Sequence, residues 1–243
     1  TRSAAPAQVA SNVNVGTVGP DLGSQFTKDG ELRAGVLAGR GDADLQIGDP
    51  LLVQYSIKRD IGAVRARLFL DQLDNVSFPR SGYNLDAQVL GSTTRLGASE
   101  TYNRWNLNFL GAKSFGSHTF QFALAGGGAV GDNPLPLYDY LSFGGFMRMT
   151  GYRQGQLRND AMSYGRLSYM NQLFKMPLLE GVYVGASIEV ARLGRPLVPT
   201  GIQGNVASGS LFLAVDTPLG PAYLAYGHTQ DGNSNFYFYL GRP

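Results

Sequence analysis

The chain has 243 residues, 20 Lys and Arg against 18 Asp and Glu for a net charge of +2, 33 glycines and no cysteine. Without cysteine there is no disulfide framework, no thiolate nucleophile and no sulfur-ligated zinc or iron–sulfur centre. Basic residues scattered through a nearly neutral chain give no footing for a nucleic-acid partner, and two histidines 110 positions apart, His118 and His228, make a His-rich metal site unexpected.

The elements, in chain order, are short segments of alternating polarity. A weak candidate in Val9 to Val18 precedes Glu31 to Ala38, Leu52 to Lys58, Val64 to Leu68, Tyr83 to Val89, Asn103 to Phe109 and His118 to Leu124. In Asn103 to Phe109 the odd positions turn apolar (Trp105, Leu107, Phe109) while the even ones are polar. Successive strand residues point to opposite faces, so such a segment has one apolar and one polar face. A connection of more than thirty residues, Gly128 to Ala161, comes next. It is followed by Met162 to Leu173, Val182 to Arg192, Ser210 to Asp216, Ala222 to His228 and Phe236 to Leu240. Gly, Pro, Asn and Asp fill the breaks, as turns require. About eleven or twelve strands result and no comparable helical periodicity, so the expected fold class is all-β and antiparallel. The apolar runs fall far short of the roughly 18 residues of a membrane-spanning helix, so any crossing of a bilayer is by strands.

Alternation alone fits a soluble β-sandwich as well as a transmembrane β-barrel. The polar faces carry Arg, Asp, Asn, Gln, Gly, Ser and Tyr, which suits a hydrogen-bonded barrel lumen, and aromatic residues gather near strand ends as interfacial girdles do. The long connection holds several aromatics and no acidic block, so it is expected to be ordered and packed against something. Catalytic readings find little support. No Gly-x-Ser-x-Gly is present; Gly185-Ala186-Ser187-Ile188-Glu189 comes nearest but lies in mid-strand with no helix following. Gly126 to Gly131 matches Gly-x-Gly-x-x-Gly only formally, since no helix opens there. Asp29-Gly30 and Asp231-Gly232 read as turns, and His118 and His228 as ordinary interfacial residues beside the alternative of a barrel-embedded lipase.

The run Phe143-Gly144-Gly145-Phe146-Met147-Arg148-Met149-Thr150-Gly151-Tyr152-Arg153 resembles the sixth-extracellular-loop signature of the bacterial surface antigen superfamily, the outer-membrane barrels of the BamA, TamA and FhaC type. Leu73-Asp74-Asn75 with Phe78-Pro79-Arg80-Ser81-Gly82-Tyr83 is similar to the family's strand-entry motif. Asp216-Thr217-Pro218-Leu219-Gly220-Pro221 is similar to its last-but-one tight turn, and Phe236 to Pro243 to its closing strand. The loop wording and the ending look most like the translocator barrel of patatin-like type V autotransporters.

The resemblance implies an outer-membrane barrel domain over residues 1–243, a share of a sixteen-stranded barrel whose first strands and POTRA domains would lie upstream, with the long loop 128–161 inserted in the lumen. It implies a non-enzymatic role in moving polypeptide across or into the outer membrane, with no cofactor and no metal; an insertase of the BamA or TamA type and a passive pore are the alternatives. The implied partners are outer-membrane lipid, the translocated or inserted polypeptide and the barrel-assembly machinery, which would read Phe236, Phe238 and Leu240 as its signal. The loop motif would be Arg148, Thr150, Gly151, Tyr152 and Arg153. The family has Arg immediately before the motif glycine where this chain has Thr150, so Arg148 or Arg153 would have to supply the guanidinium. An Arg in a narrow lumen needs a carboxylate. With Val182, Val184, Ala186, Ile188 and Val190 facing lipid, Glu189 faces the lumen, and Asp216 does so by the parity of Leu211, Leu213 and Val215; the two would anchor the loop jointly, the alternative being that both simply line a wet pore.

Overall fold

Alternating polarity folds into one rolled antiparallel sheet. The structure, a computed structural model, describes residues 10–46, 55–176 and 179–241. Its strands are β1 (Ala10–Val18), β2 (Asp21–Thr27), β3 (Gly30–Gln46), β4 (Tyr55–Asp71), β5 (Ser81–Ser92), β6 (Tyr102–Phe115), β7 (His118–Ala129), β8 (Leu141–Phe143), β9 (Leu157–Asn159), β10 (Met162–Met176), β11 (Leu179–Leu193), β12 (Gly204–Thr217), β13 (Gly220–Thr229) and β14 (Ser234–Leu240). Among the described residues the sheet order is β1-β3-β4-β5-β6-β7-β10-β11-β12-β13-β14, β2 also pairing with β3, while β8 and β9 form a separate hairpin. Sequential meander pairing joined by short turns is how an up-and-down barrel is built.

β1 and β2 are one stave. Val18 faces Ala38 and Asp21 faces Gly35, so the register on β3 continues unbroken across Gly19-Pro20. Pro20 has no N–H for the ladder, yet its carbonyl still accepts from Val36 N at 3.2 Å. The Asp21–Thr27 half is absent from the sequence expectation. In the other direction, Tyr55 to Lys58 of the expected strand Leu52 to Lys58 and the expected strand Val64 to Leu68 belong to the single strand β4. The charged and glycine-containing stretch between them keeps its ladder because Arg59, Asp60 and Gly62 pair with Gly41, Arg40 and Ala38. Val9, Leu52 to Gln54, Arg242 and Pro243 lie outside the described residues.

The apolar parity faces outward. Ile188 and Leu211 are each 66% exposed and Phe236 and Phe238 each 79%; a continuous outward band of such residues marks a lipid-facing surface. Outward charges stand near strand ends, as with Lys113 and Arg192. His118, beside Tyr169 Oη at 2.7 Å, and His228, beside Ser234 Oγ at 2.7 Å, sit at opposite ends of this band.

The roll is set by contacts across the inner face. Phe78, on the β4–β5 connection, stacks on Tyr183 of β11 with ring centroids 4.5 Å apart and meets Tyr223 of β13 at 5.5 Å. Arg80 donates to Gln172 Oε1 of β10 at 2.6 Å. The connection that carries the Leu73-to-Tyr83 motif is shaped locally: Asp74 Oδ1 accepts from the N–H groups of Arg80 and Ser81, and Asn75 Oδ1 from those of Ser77 and Phe78. Gly82, at φ +99°, is obligatory there, because a Cβ would lie 1.9 Å from Gln72 O.

Candidate functional site

The long connection, residues 130–161, runs through the interior from one wall to the other. Its first arm packs Leu135 and Tyr138 against Leu37, Ile61, Ala63, Leu90 and Tyr102 of β3 to β6, and Asp139 takes an ion pair from Arg104. Burial pushes the Asp139 carboxyl above its ordinary pKa, with Arg104 opposing the shift. The β8–β9 hairpin then lays Phe143 and Leu157 against Met162, Tyr164, Ala191, Leu193 and Val206. Between its strands the tip descends to an aromatic cluster in which Phe146 and Met147 meet Phe78, Tyr183, Phe212 and Tyr223.

The tip is bent in a way that L side chains resist. Met147 and Met149 have φ of 61° and 67°, a left-handed conformation that costs roughly 1–2 kcal/mol at each non-glycine residue. The surroundings hold it there. Met147 O accepts from Arg166 Nη1 at 2.6 Å and from Tyr164 Oη at 2.9 Å, while Met147 N donates to Thr150 Oγ1 at 3.1 Å.

One buried carboxylate, Glu189 of β11, closes the arrangement. Thr150 N donates to its Oε2 and Thr150 Oγ1 to its Oε1, both at 2.6 Å, and Ser187 Oγ donates to Oε1 at 2.9 Å. Gly151 N donates to Ser208 Oγ at 2.8 Å, Gly151 O accepts from Asn235, Tyr152 O accepts from Tyr237, and Tyr152 Oη donates to Asp231 Oδ2 at 2.9 Å. Backbone lies on backbone at this point. A Cβ on Gly227 would stand 2.4 Å from Thr150 O, and one on Gly151 would stand 2.3 Å from Thr229 Cγ2.

Thr150, Gly151 and Tyr152 of the expected motif thus meet Glu189 and its neighbours, but the other expected members do not. Arg148 and Arg153 are exposed; Arg148 lies 5.7 Å over the Phe143 ring, and neither makes an ion pair among the described residues. The guanidinium at the loop tip comes from the wall, Arg166, and the tip contributes a neutral threonine to Glu189. Asp216 is eight positions along β12 from Ser208, the residue paired with Glu189, which at about 3.3 Å per residue is too far to share a loop tip with it. Phe236, Phe238 and Leu240 face outward on β14, and Tyr237 and Tyr239 face inward onto Phe146. Sequence reasoning missed Arg166, Tyr164, Ser208 and Asn235, and read Asp231 only as a turn residue. Parity along Met162 to Leu173 does place Arg166 inside, but nothing in the sequence says that its partner is a carbonyl. Among the described residues no three metal-ligating side chains converge.

A family model described as the Omp85 superfamily domain matches residues 10–242. The chain belongs to the Omp85 superfamily. Its rolled sheet, not closed between β1 and β14 among the described residues, is of the outer-membrane β-barrel type of BamA, TamA and FhaC, and the expected family and location hold. It is similar to the crystal structure of BamA from Haemophilus ducreyi lacking POTRA domains 1-3, with TM-score 0.67 and 14% identity over 96% of this chain and 53% of that one. It is also similar to CdiB from Escherichia coli, with TM-score 0.66 and 14% identity over 97% of this chain and 44% of that one. The chain therefore spans about half the length of these structures, and at such identity the likeness is one of fold. No curated protein matches.

The wall opposite the docked loop tip has a different chemistry. Arg67 of β4 binds Asp86 of β5 through two hydrogen bonds of 2.8 Å, Arg65 binds Asp21 of β2 at 2.7 Å, and Arg33 binds Glu31 at 2.9 Å. A cavity of about 210 Å³ lies between this wall and the hairpin, lined by Asp86, Gln88, Asn106, Asn108 and Arg148 among others. This Omp85 lumen keeps a charged, cavity-lined stretch on one side and is filled by the loop tip on the other.

Proposed function

We propose that this Omp85 domain is the translocator of a patatin-like autotransporter, moving polypeptide across the outer membrane without any enzymatic step of its own. The observation that carries the reading is the loop. An inserted segment whose tip makes no ion pair, being held by hydrogen bonds to the buried Glu189 carboxylate and from the buried Arg166 guanidinium, is a removable stopper, since both charges belong to the wall and neither leaves with the tip. The polar wall of β2 to β6 then offers an unfolded chain hydrogen bonds in place of water. Outer-membrane lipid surrounds the apolar band, the barrel-assembly machinery is the partner for insertion, and the passenger is the cargo. Support for the patatin-type assignment rests on the wording of the loop and of the closing strand.

The test is surface display by cells producing the full-length protein. Protease-accessible passenger should appear with the native barrel and fall with Tyr152→Ala, at unchanged barrel level in the membrane. Unchanged display overturns the loop's role in transport. If the variant instead lowers the folding of other outer-membrane barrels while its own passenger still appears, the insertase reading replaces this one.

A further inference from the structure

Arg166 and Glu189 stand directly opposite each other in the β10–β11 register. Residues so placed on one face of an antiparallel pair have Cβ atoms about 5 Å apart, within reach for a guanidinium and a carboxylate. Both are buried, at 8% and 1% exposure, where opposite charges ordinarily pair. Here they do not pair. Arg166 gives Nη1 to Met147 O, and Glu189 takes both donors of Thr150. Arg166 Nε is left buried without a hydrogen-bond partner, as is Ser168 Oγ at the next inward position of β10.

The geometry points to a two-position latch: Arg166 and Glu189 hold the docked loop tip separately, and they pair with each other when the tip withdraws. If the tip left without that exchange, two buried charges would lose their partners at once, which a low-dielectric wall resists. With the exchange, the vacated wall neutralises itself. The uncharged Thr150 is what permits it. A loop arginine bound to Glu189 would carry the counter-charge away on withdrawal, whereas here both charges belong to the wall and stay balanced in either state. The inference concerns the gate of the translocator proposed above, and its test requires no passenger.

These 243 residues contain no cysteine, so Ser168→Cys, with any cysteine elsewhere in the full-length protein replaced by serine, gives one thiol of nearly native size, buried at 0% exposure beneath the docked loop. Its reaction rate with a small membrane-impermeant methanethiosulfonate, measured on the full-length protein in detergent, reports how often the tip leaves. The rate is compared in four backgrounds: Arg166 and Glu189 native, Arg166→Gln, Glu189→Gln, and both. Unboiled gel migration confirms that each barrel remains folded. If the pair forms only in the withdrawn state, the product of the native and double-variant rates exceeds the product of the single-variant rates by about threefold or more, the scale of ordinary contact coupling. A smaller or inverted ratio overturns the latch, as does a thiol that never reacts in a folded barrel. Should the Gln variants not reach the barrel form, Arg166→Lys and Glu189→Asp run the same cycle.

Discussion

The two walls of this lumen obey the same alternation and end as opposites. On β2 to β5 the inward positions carry Arg33, Arg65 and Arg67 with Asp21, Glu31 and Asp86. Their long side chains bind one another, Arg33 to Glu31 along β3 and Arg65 and Arg67 to Asp21 and Asp86 on other strands, and occupy the space in front of the sheet. On β10 to β13 the inward positions include Ser168, Ser187, Ser208, Ser210, Ala214, Ala225 and Gly227. Small side chains leave the sheet open to close approach, and the loop backbone fills that space down to a hydrogen bond between Gly151 N and Ser208 Oγ. Polarity makes both faces lumenal; side-chain size decides which of them takes the loop.

Substitutions that attack the joint between the walls should have the largest effect. Phe78→Ala removes the ring that spans from the β4–β5 connection to Tyr183 and Tyr223 and should cost about 3–5 kcal/mol. It would appear as a lower urea midpoint for conversion of the compact to the extended gel form. Glu189→Ala strands Thr150 N–H and its hydroxyl inside the lumen, at a cost on the order of 3 kcal/mol, with faster alkylation of a cysteine at position 168 as the readout. Gly227→Ala pushes a methyl against Thr150 O and should cost about 1–3 kcal/mol, loosening the tip by the same assay. Arg67→Ala tests the opposite wall. Its half-exposed pair with Asp86 is worth about 1 kcal/mol or less, so the loop should stay docked while single-channel ion selectivity shifts towards cations.

The smallest effect expected is on pH. Burial raises the Asp139 pKa, so the folded state holds that proton more tightly than the unfolded chain does. The associated stability is present in acid and lost as pH rises through the folded-state value. Between about pH 7 and about pH 4 the urea midpoint should rise slightly on this account, and Asp139→Asn should flatten that component.

Much of this was legible beforehand because strand parity is local. Val184, Ile188 and Val190 of β11, and Phe236 and Phe238 of β14, needed only their spacing of two to be assigned outward, and Glu189 inward. Breaks were less legible. Gly62 reads as a turn and lies within a long strand, because strands on both sides supply its ladder, and Gly19-Pro20 interrupts a stave without ending it. The site was half legible. Thr150, Gly151, Tyr152 and Glu189 come together, whereas Arg148 and Arg153 were chosen as replacements for the motif guanidinium and Asp216 by its lumenal parity on a neighbouring strand, and neither charge nor parity says how far along a strand a residue lies.

Residue order by itself determined the all-β class, the outward apolar band, the inward polarity and the existence of a long internal segment, since each follows from period-two alternation or its interruption. Only the tertiary structure decided that Thr150 meets Glu189, that Arg166 holds a carbonyl instead of its cross-strand carboxylate, and that Asp216 stays at the far end of its strand. Those outcomes depend on how far a loop reaches into a rolled sheet and on the space small side chains leave for it, and both quantities arise only when distant strands come together.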